Sequence, residues 1–157
     1  MGRKGEILAY AVGMRKLDIT PALQQMERFI GFTIPQGGRF YVCDHDEVVQ
    51  IIINGTVSAE FCDEHPYKFV ENNARFVGLV FDGLTENTPI HRVGSTSISY
   101  ELDLAQDFVH VRYETSGDSG VLKFRTFSGD WFVASLSDDG RYLVMAEPYE
   151  VALYELN

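Results

Sequence analysis

Four residues, Cys43, His45, Cys62 and His65, come closest in type and spacing to a site that could do chemistry. They form a C-x-H pair in "YVCDHDEV" and a C-x-x-H pair in "EFCDEHPY", with sixteen residues between the pairs. Two thiolates and two imidazoles are a ligand set that tetrahedral zinc accepts. The pattern therefore raises a zinc hypothesis with these four residues as ligands, and it implies no other cofactor.

The segment between the two pairs is predicted to be a β-hairpin. Asn54-Gly55 is typical of a two-residue turn, and that turn would pair Ile53 with Thr56. The same register would turn one apolar face toward the core, formed by Val48, Ile52, Val57, Ala59 and Phe61.

This register bears directly on the zinc hypothesis, because it places Cys62 opposite Glu47, four residues from Cys43. At about 3.3 Å per residue the offset is roughly 13 Å, too far for a shared metal or a disulfide. We therefore predict that Cys43 and Cys62 are free thiols, at least partly buried, between acidic strand ends. Zinc is kept as the alternative hypothesis, which needs a curled or bulged hairpin end.

Other candidates for chemistry have a structural interpretation. Ser119 lies in "GDSG", where the flanking glycines suit a tight turn, and a serine is unreactive without a base within hydrogen-bond distance. Glu101 and His110 are expected to face each other across two strands on a solvated sheet face. We therefore assign no catalytic residues, and the sequence does not predict an enzyme.

One helix is predicted over about residues 20–30. Thr20 is a suitable N-cap, Pro21 suits the first helical position, and Gly31 suits the residue after the helix. Strands and turns follow from about residue 39. A second hairpin is predicted from matching alternation in "SISYELDL" and "DFVHVRYE", with Ile98 facing Tyr113 and Ser99 facing Arg112.

The segments "GVLKFRTF", "GDWFVASL", "GRYLVMA" and "EVALYEL", separated by Gly- and Asp-rich turns, continue the meander. The predicted fold class is mainly β, as a single domain over residues 1–157. A single open sheet of this many antiparallel strands would leave exposed strand edges. We therefore expect a closed barrel or a two-layer sandwich with the helix at one end.

The chain is acidic, with a formal net charge of −10 and an isoelectric point near 4.7. This charge repels a phosphate backbone, so we do not expect nucleic acid as a partner. Apolar runs are too short to span a membrane, and with two cysteines and no export signal we expect a cytoplasmic location. A protein partner with a basic surface fits the charge best.

Three functional classes remain open on the sequence. The first is a non-enzymatic interaction module, such as an inhibitor, an immunity-type protein or an accessory subunit, that docks on a basic partner. The second is a small-molecule-binding β-barrel whose walls are formed by its many Phe and Tyr residues. The third is a zinc-binding protein that uses the Cys/His cluster.

Overall fold

The computed structural model describes residues 14–79 and 87–156, except residues 102, 104 and 128. Its strands are β1 (Met14–Leu17), β2 (Phe29–Thr33), β3 (Arg39–Asp44), β4 (Val48–Asn54), β5 (Thr56–Cys62), β6 (Phe76–Gly78), β7 (Arg92–Val93), β8 (Thr96–Ser99), β9 (Phe108–Glu114), β10 (Ser119–Arg125), β11 (Val133–Leu136), β12 (Tyr142–Glu147) and β13 (Glu150–Leu156). A 3-10 helix spans Thr20–Leu23, and an α-helix, α1, spans Pro66–Glu71.

The strands form three antiparallel sheets. Sheet I has the strand order β5-β4-β3-β2-β6, sheet II the order β1-β13-β12-β11, and sheet III the order β10-β9-β8-β7. None of the three closes into a barrel within the described part of the chain. The prediction of a mainly β, antiparallel, sandwich-like fold is therefore confirmed, and the structure adds a third sheet to the expected two.

Sheet II lies between the other two and is buried on both faces. Leu143 and Met145 of β12 pack with residues of sheet III, whereas Val144 between them packs with residues of sheet I. In β13, Leu153 joins Val144 on the sheet I side. Strands covered on both faces have no exposed face, which explains why every residue of β11 and β12 is buried, Ser135 and Glu147 included.

Sheet III keeps one face in solvent, as the alternation of β9 predicts. Val109, Val111 and Tyr113 are buried against sheet II, while His110 and Arg112 are exposed. The predicted register of the second hairpin is confirmed, because Ile98 pairs with Tyr113 and Ser99 with Arg112. The ladder ends at Ser99, so the predicted Glu101–His110 pair is not part of it, and the predicted partner Leu102 lies outside the described residues.

The predicted helix over residues 20–30 is wrong in extent. It starts at Thr20 but ends after one 3-10 turn at Leu23, and Phe29 begins β2. Phe29 begins a strand instead of ending a helix because every residue of β2 is buried, and β2 lies between β3 and β6 in sheet I. Gly31 pairs with Gly78 instead of ending a helix, and a Cβ on Gly31 would overlap the carbonyl oxygen of Val77.

The first hairpin turns where predicted, but its register differs by one residue. Val48 pairs with Cys62, and Asn54 pairs with Thr56 around Gly55. A two-residue type I′ turn needs positive φ at both central residues, whereas among the described residues only glycines have positive φ, Gly55 included at 72°.

Within the described residues, no helix is long and apolar enough to cross a membrane.

Two leucines on opposite faces of sheet II test its central position. Leu143→Ala and Leu153→Ala should each lower the free energy of unfolding by about 2–5 kcal/mol, because each leaves a cavity between packed sheets. Val121→Ala, in the exposed face of β10, should change it by no more than about 0.5 kcal/mol. Urea denaturation measures all three. A small effect at either leucine would contradict burial of both faces.

Candidate interaction surface

The two cysteines lie in one row across sheet I. Cys43 of β3 and Cys62 of β5 both pair with Val48 of β4, so all three side chains are on the same face. The predicted offset along the strands is therefore wrong, because the chain turns at residues 44–47 and places Cys43 on β3, opposite Val48, instead of on the same strand as Val48. The thiols are instead separated by two strand spacings, about 9.5 Å between Cα atoms, which is too far for a disulfide.

Both thiols are free and at least partly buried, as the sequence predicted, but their environments differ. Cys43 is fully buried beneath α1, with Val70 and Phe76 in the same cluster. Burial, and then the neighbouring carboxylate of Asp44, raises the pKa of Cys43 far above its ordinary value. Cys62 is half-buried, and partial burial followed by Glu64 raises its pKa as well.

The two histidines meet at Tyr67 rather than at the cysteines. His45 Nδ1 lies 2.7 Å from the Tyr67 hydroxyl oxygen, and the His45 ring meets the Tyr67 ring edge-to-face at 5.9 Å. His65 contacts the same ring at 5.4 Å. Pro66 turns the chain directly after His65 and starts α1, so His65 does not continue the strand that carries Cys62. The sequence analysis missed Tyr67, although Pro66 signalled a helix start.

The zinc hypothesis needs more rearrangement than the sequence suggested. Within the described residues, no three His, Cys, Asp or Glu side chains are grouped as ligands of one metal ion. Convergence of the four predicted ligands would require Cys43 to leave the cluster beneath α1 and both histidines to leave Tyr67. Zinc binding by Cys43, His45, Cys62 and His65 stays a prediction for metal analysis.

A buried carboxylate fixes the turn at which the acidic residues gather. The Asp44 side chain is 2% exposed and accepts hydrogen bonds from the backbone N–H groups of Glu27, Asp46 and Glu47, at 3.1, 2.7 and 2.6 Å. These bonds hold the β3–β4 turn against the segment that precedes β2. The carboxylates of Asp46 and Glu47 are therefore presented by an ordered turn.

Strand β5 is a long edge strand of sheet I. It pairs with β4 alone within the described residues, and none of its seven residues is buried. The comparable edge strand β10 carries Lys123 and Arg125, charges that discourage another strand from pairing. In β5 the single charged residue is Glu60. β5 is therefore less protected than β10 against the addition of another strand.

Among the described residues, Phe61 is the most exposed large apolar side chain, with 63% of its surface accessible, so its predicted core position is wrong. Ala59, also predicted to be core, is exposed as well. Both lie on the core side of sheet I, but β5 extends past the residues that cover that side. Beside Phe61 is a depression of about 210 Å³, bounded by the 3-10 helix, Glu47 and Val49.

Acidic side chains surround this edge. We use the term acidic edge for β5 together with the flanking carboxylates Asp46, Glu47, Glu60, Asp63 and Glu64. None of these five takes part in an ion pair within the described residues. The surface therefore combines unpaired backbone groups, one exposed aromatic ring and uncompensated negative charge.

Comparison of the chain with protein-family models, with curated proteins and with solved structures found no match.

The two thiols should react at different rates. Because burial and Glu64 disfavour its thiolate, Cys62 should react slowly with a maleimide at neutral pH and faster as the pH rises. Glu64→Gln should lower the pKa of Cys62 and accelerate the reaction at a given pH. Cys43 should react only after unfolding. Mass spectrometry of the labelled chain gives both rates; faster labelling of Cys43 than of Cys62 in native protein would contradict the placement.

Metal analysis tests the zinc hypothesis. The arrangement predicts less than one zinc per purified chain, and Cys62→Ser should cost about 1–3 kcal/mol through the loss of a partly buried contact. Atomic emission spectrometry and urea denaturation provide the measurements. One tightly held zinc per chain, lost together with the fold on chelation, would instead establish a structural metal site.

Proposed function

We propose that this protein is a non-enzymatic interaction module whose acidic edge binds an extended, basic segment of a protein partner. The observation that carries the proposal is the seven-residue edge strand β5, exposed along its length and flanked by carboxylates. Inhibitors, immunity-type proteins and accessory subunits all work through such surfaces, and the proposal covers this class as a whole.

The backbone of β5 supplies the first part of the interaction. On the side away from β4, its N–H and C=O groups have no strand partner within the described residues. An extended segment laid along this edge would form main-chain hydrogen bonds and continue sheet I as an added strand. The lack of Lys, Arg and Pro in β5 leaves this pairing unobstructed.

Phe61 supplies an anchor. Aromatic side chains dominate the energy of many protein interfaces, and the exposed Phe61 ring lies on the open edge strand of sheet I. The depression beside the ring, between the 3-10 helix and Val49, can receive an apolar side chain of the added segment. Alternating side chains of an added strand point to opposite faces, so one face of the partner would contact Phe61.

The carboxylates of the acidic edge select the partner's charge. Lysine or arginine in the added segment would neutralise Glu60, Asp63 and Glu64, which have no ion-pair partner within the described residues. Complementary charge chiefly raises the association rate and excludes partners of like charge. The net charge of −10 extends this attraction beyond the contact itself.

The aromatic residues that a small-molecule-binding barrel would use as walls serve another purpose here. Phe32 and Phe40 meet edge-to-face at 6.5 Å between sheets I and II, and Phe124 and Phe132 meet at 5.1 Å between sheets II and III. They contribute to packing, which favours the interaction module over this alternative.

A peptide of alternating Lys and Val residues serves as a model of the extended basic segment. Its binding should weaken by about 2 kcal/mol in Phe61→Ala and should be lost in Glu60→Lys. The association rate should fall as salt rises past about 0.15 M, where the Debye length is about 8 Å. Fluorescence anisotropy and stopped-flow mixing measure the affinity and the rate.

Phe127→Ala is the matched control, because Phe127 is 58% exposed but lies after β10, outside the acidic edge. It should bind the peptide like the unaltered protein. Amide hydrogen exchange should also slow in β5 when the peptide binds, which separates strand addition from nonspecific charge attraction. Binding that leaves β5 exchange unchanged, or that is equally sensitive to Phe127→Ala, would refute the proposal.

A further inference from the structure

The outer face of sheet III carries positive charge, although the protein as a whole is strongly acidic. Side chains that pair directly across an antiparallel sheet share a face. Arg112 pairs with Ser99 and Val121, His110 pairs with Lys123, and Phe108 pairs with Arg125. Arg92 pairs with Ser97 in the neighbouring row. We use the term basic face for this surface, whose cations are Arg92, Arg112, Lys123 and Arg125.

The four cations of the basic face are not neutralised by ion pairs. The ion pairs within the described residues join other arginines to Asp130, Asp138 and Glu155, and none includes a cation of this face. All four side chains are exposed. Glu114 is the acidic residue in these rows, at the end of β9 farthest from Phe108. Four like charges on one sheet face repel each other, so an anionic partner would lower the electrostatic free energy of this surface.

Two aromatic rings lie at the same surface, and one cation of the face lies over each of them. Lys123 Nζ lies 4.1 Å from the centre of the Phe108 ring, and the Arg125 guanidinium carbon lies 5.2 Å from that of Phe127. Binding of single-stranded nucleic acid to a sheet face relies on rings that are open to stacking bases. Because a cation occupies one side of each ring, the observations favour an acidic polypeptide over nucleic acid.

We propose that the basic face of sheet III binds an extended acidic polypeptide segment with carboxylates at every second residue. Alternate residues of a strand stand about 6.8 Å apart on one face, which sets the spacing of Lys123 and Arg125 along β10. An extended segment has the same repeat, so its alternate carboxylates match these two cations, with Arg112 on the neighbouring strand β9. Its other side chains point away from the sheet.

A groove beside β9 marks the border of the basic face, and the two carboxylates in its lining repel an acidic segment. It has a volume of about 610 Å³ and runs between Phe108, His110 and Arg112 on one side and Tyr100 and Gln106 on the other. Glu101 and Asp103 line its far wall. Their negative charge would direct the carboxylates of the segment toward the cations of β9 and β10.

The basic face is distinct from the acidic edge, because sheets I and III lie on opposite sides of sheet II. The two surfaces have opposite charge and different geometry, one a strand edge and the other a sheet face. Together they would let one molecule hold a basic segment and an acidic segment at the same time. Neither proposal depends on the other.

A fluorescein-labelled peptide of alternating Glu and Ser tests the basic face, and oligothymidylate of equal charge tests the nucleic-acid alternative. We expect the peptide to bind by anisotropy, and the double change Arg112→Glu with Lys123→Glu to weaken it at least about tenfold. Arg39→Glu, which reverses an exposed cation on sheet I, should leave binding unchanged, and so should Glu60→Lys in the acidic edge.

The milder pair Arg112→Gln with Lys123→Gln provides a second variant in case the charge reversal unfolds the protein, and circular dichroism monitors the fold. The exchange of Arg112→Lys with Lys123→Arg should retain binding, because it preserves the charges. Absence of peptide binding, equal binding by the Gln variant, or tighter binding of oligothymidylate than of the peptide would each overturn the proposal.

Discussion

Burial of sheet II on both faces is the constraint on which the rest of the structure depends. Its strands contribute Leu143 and Met145 to one core and Val144 and Leu153 to the other, so neither core forms without it. The β12–β13 turn ties the layers together through its polar groups. Glu147 is fully buried and accepts hydrogen bonds from the backbone N–H groups of Phe127 and Tyr149, while the carbonyl of Pro148 accepts one from Phe29 in β2. A carboxylate buried this deeply is tolerable because donors surround it.

The position of sheet II determines which surfaces are available for binding. The outer face of sheet III is in solvent, whereas the outer face of sheet I is partly covered by α1 and its open part is the edge strand β5. Charge is distributed unevenly between them: the acidic edge belongs to sheet I and the basic face to sheet III. A surface charge alone contributes little to stability, so folding does not require this separation of charge. The net charge of −10 does not reveal this separation of charge, because it suggests an acidic surface throughout.

The two long edge strands show different compromises between solubility and binding. β10 carries Lys123 and Arg125, and these charges protect its edge from pairing with other chains. β5 carries Phe61 and a single glutamate, and it extends past the residues that cover the core side of sheet I. Such an edge is a hazard in a protein that must stay monomeric, and its negative surroundings limit pairing with a second acidic copy. A basic segment meets no such barrier.

Local sequence determined much of the fold. Alternation alone predicted the register of Ile98 with Tyr113, because a slip of one residue would have turned every apolar side chain of β9 into solvent. The Gly- and Asp-rich turns likewise marked the boundaries of β11, β12 and β13. Tertiary structure decided the rest. Phe29 left the predicted helix because it pairs with Asp44 of β3 and packs into the core between sheets I and II. The turn at residues 44–47 placed Cys43 opposite Val48, and the one-residue shift of the first hairpin placed Cys62 opposite the same residue. Apolar patterning shows which face of a strand avoids water, but what covers that face is set by residues distant in sequence, as in the pairing of β1 with β13.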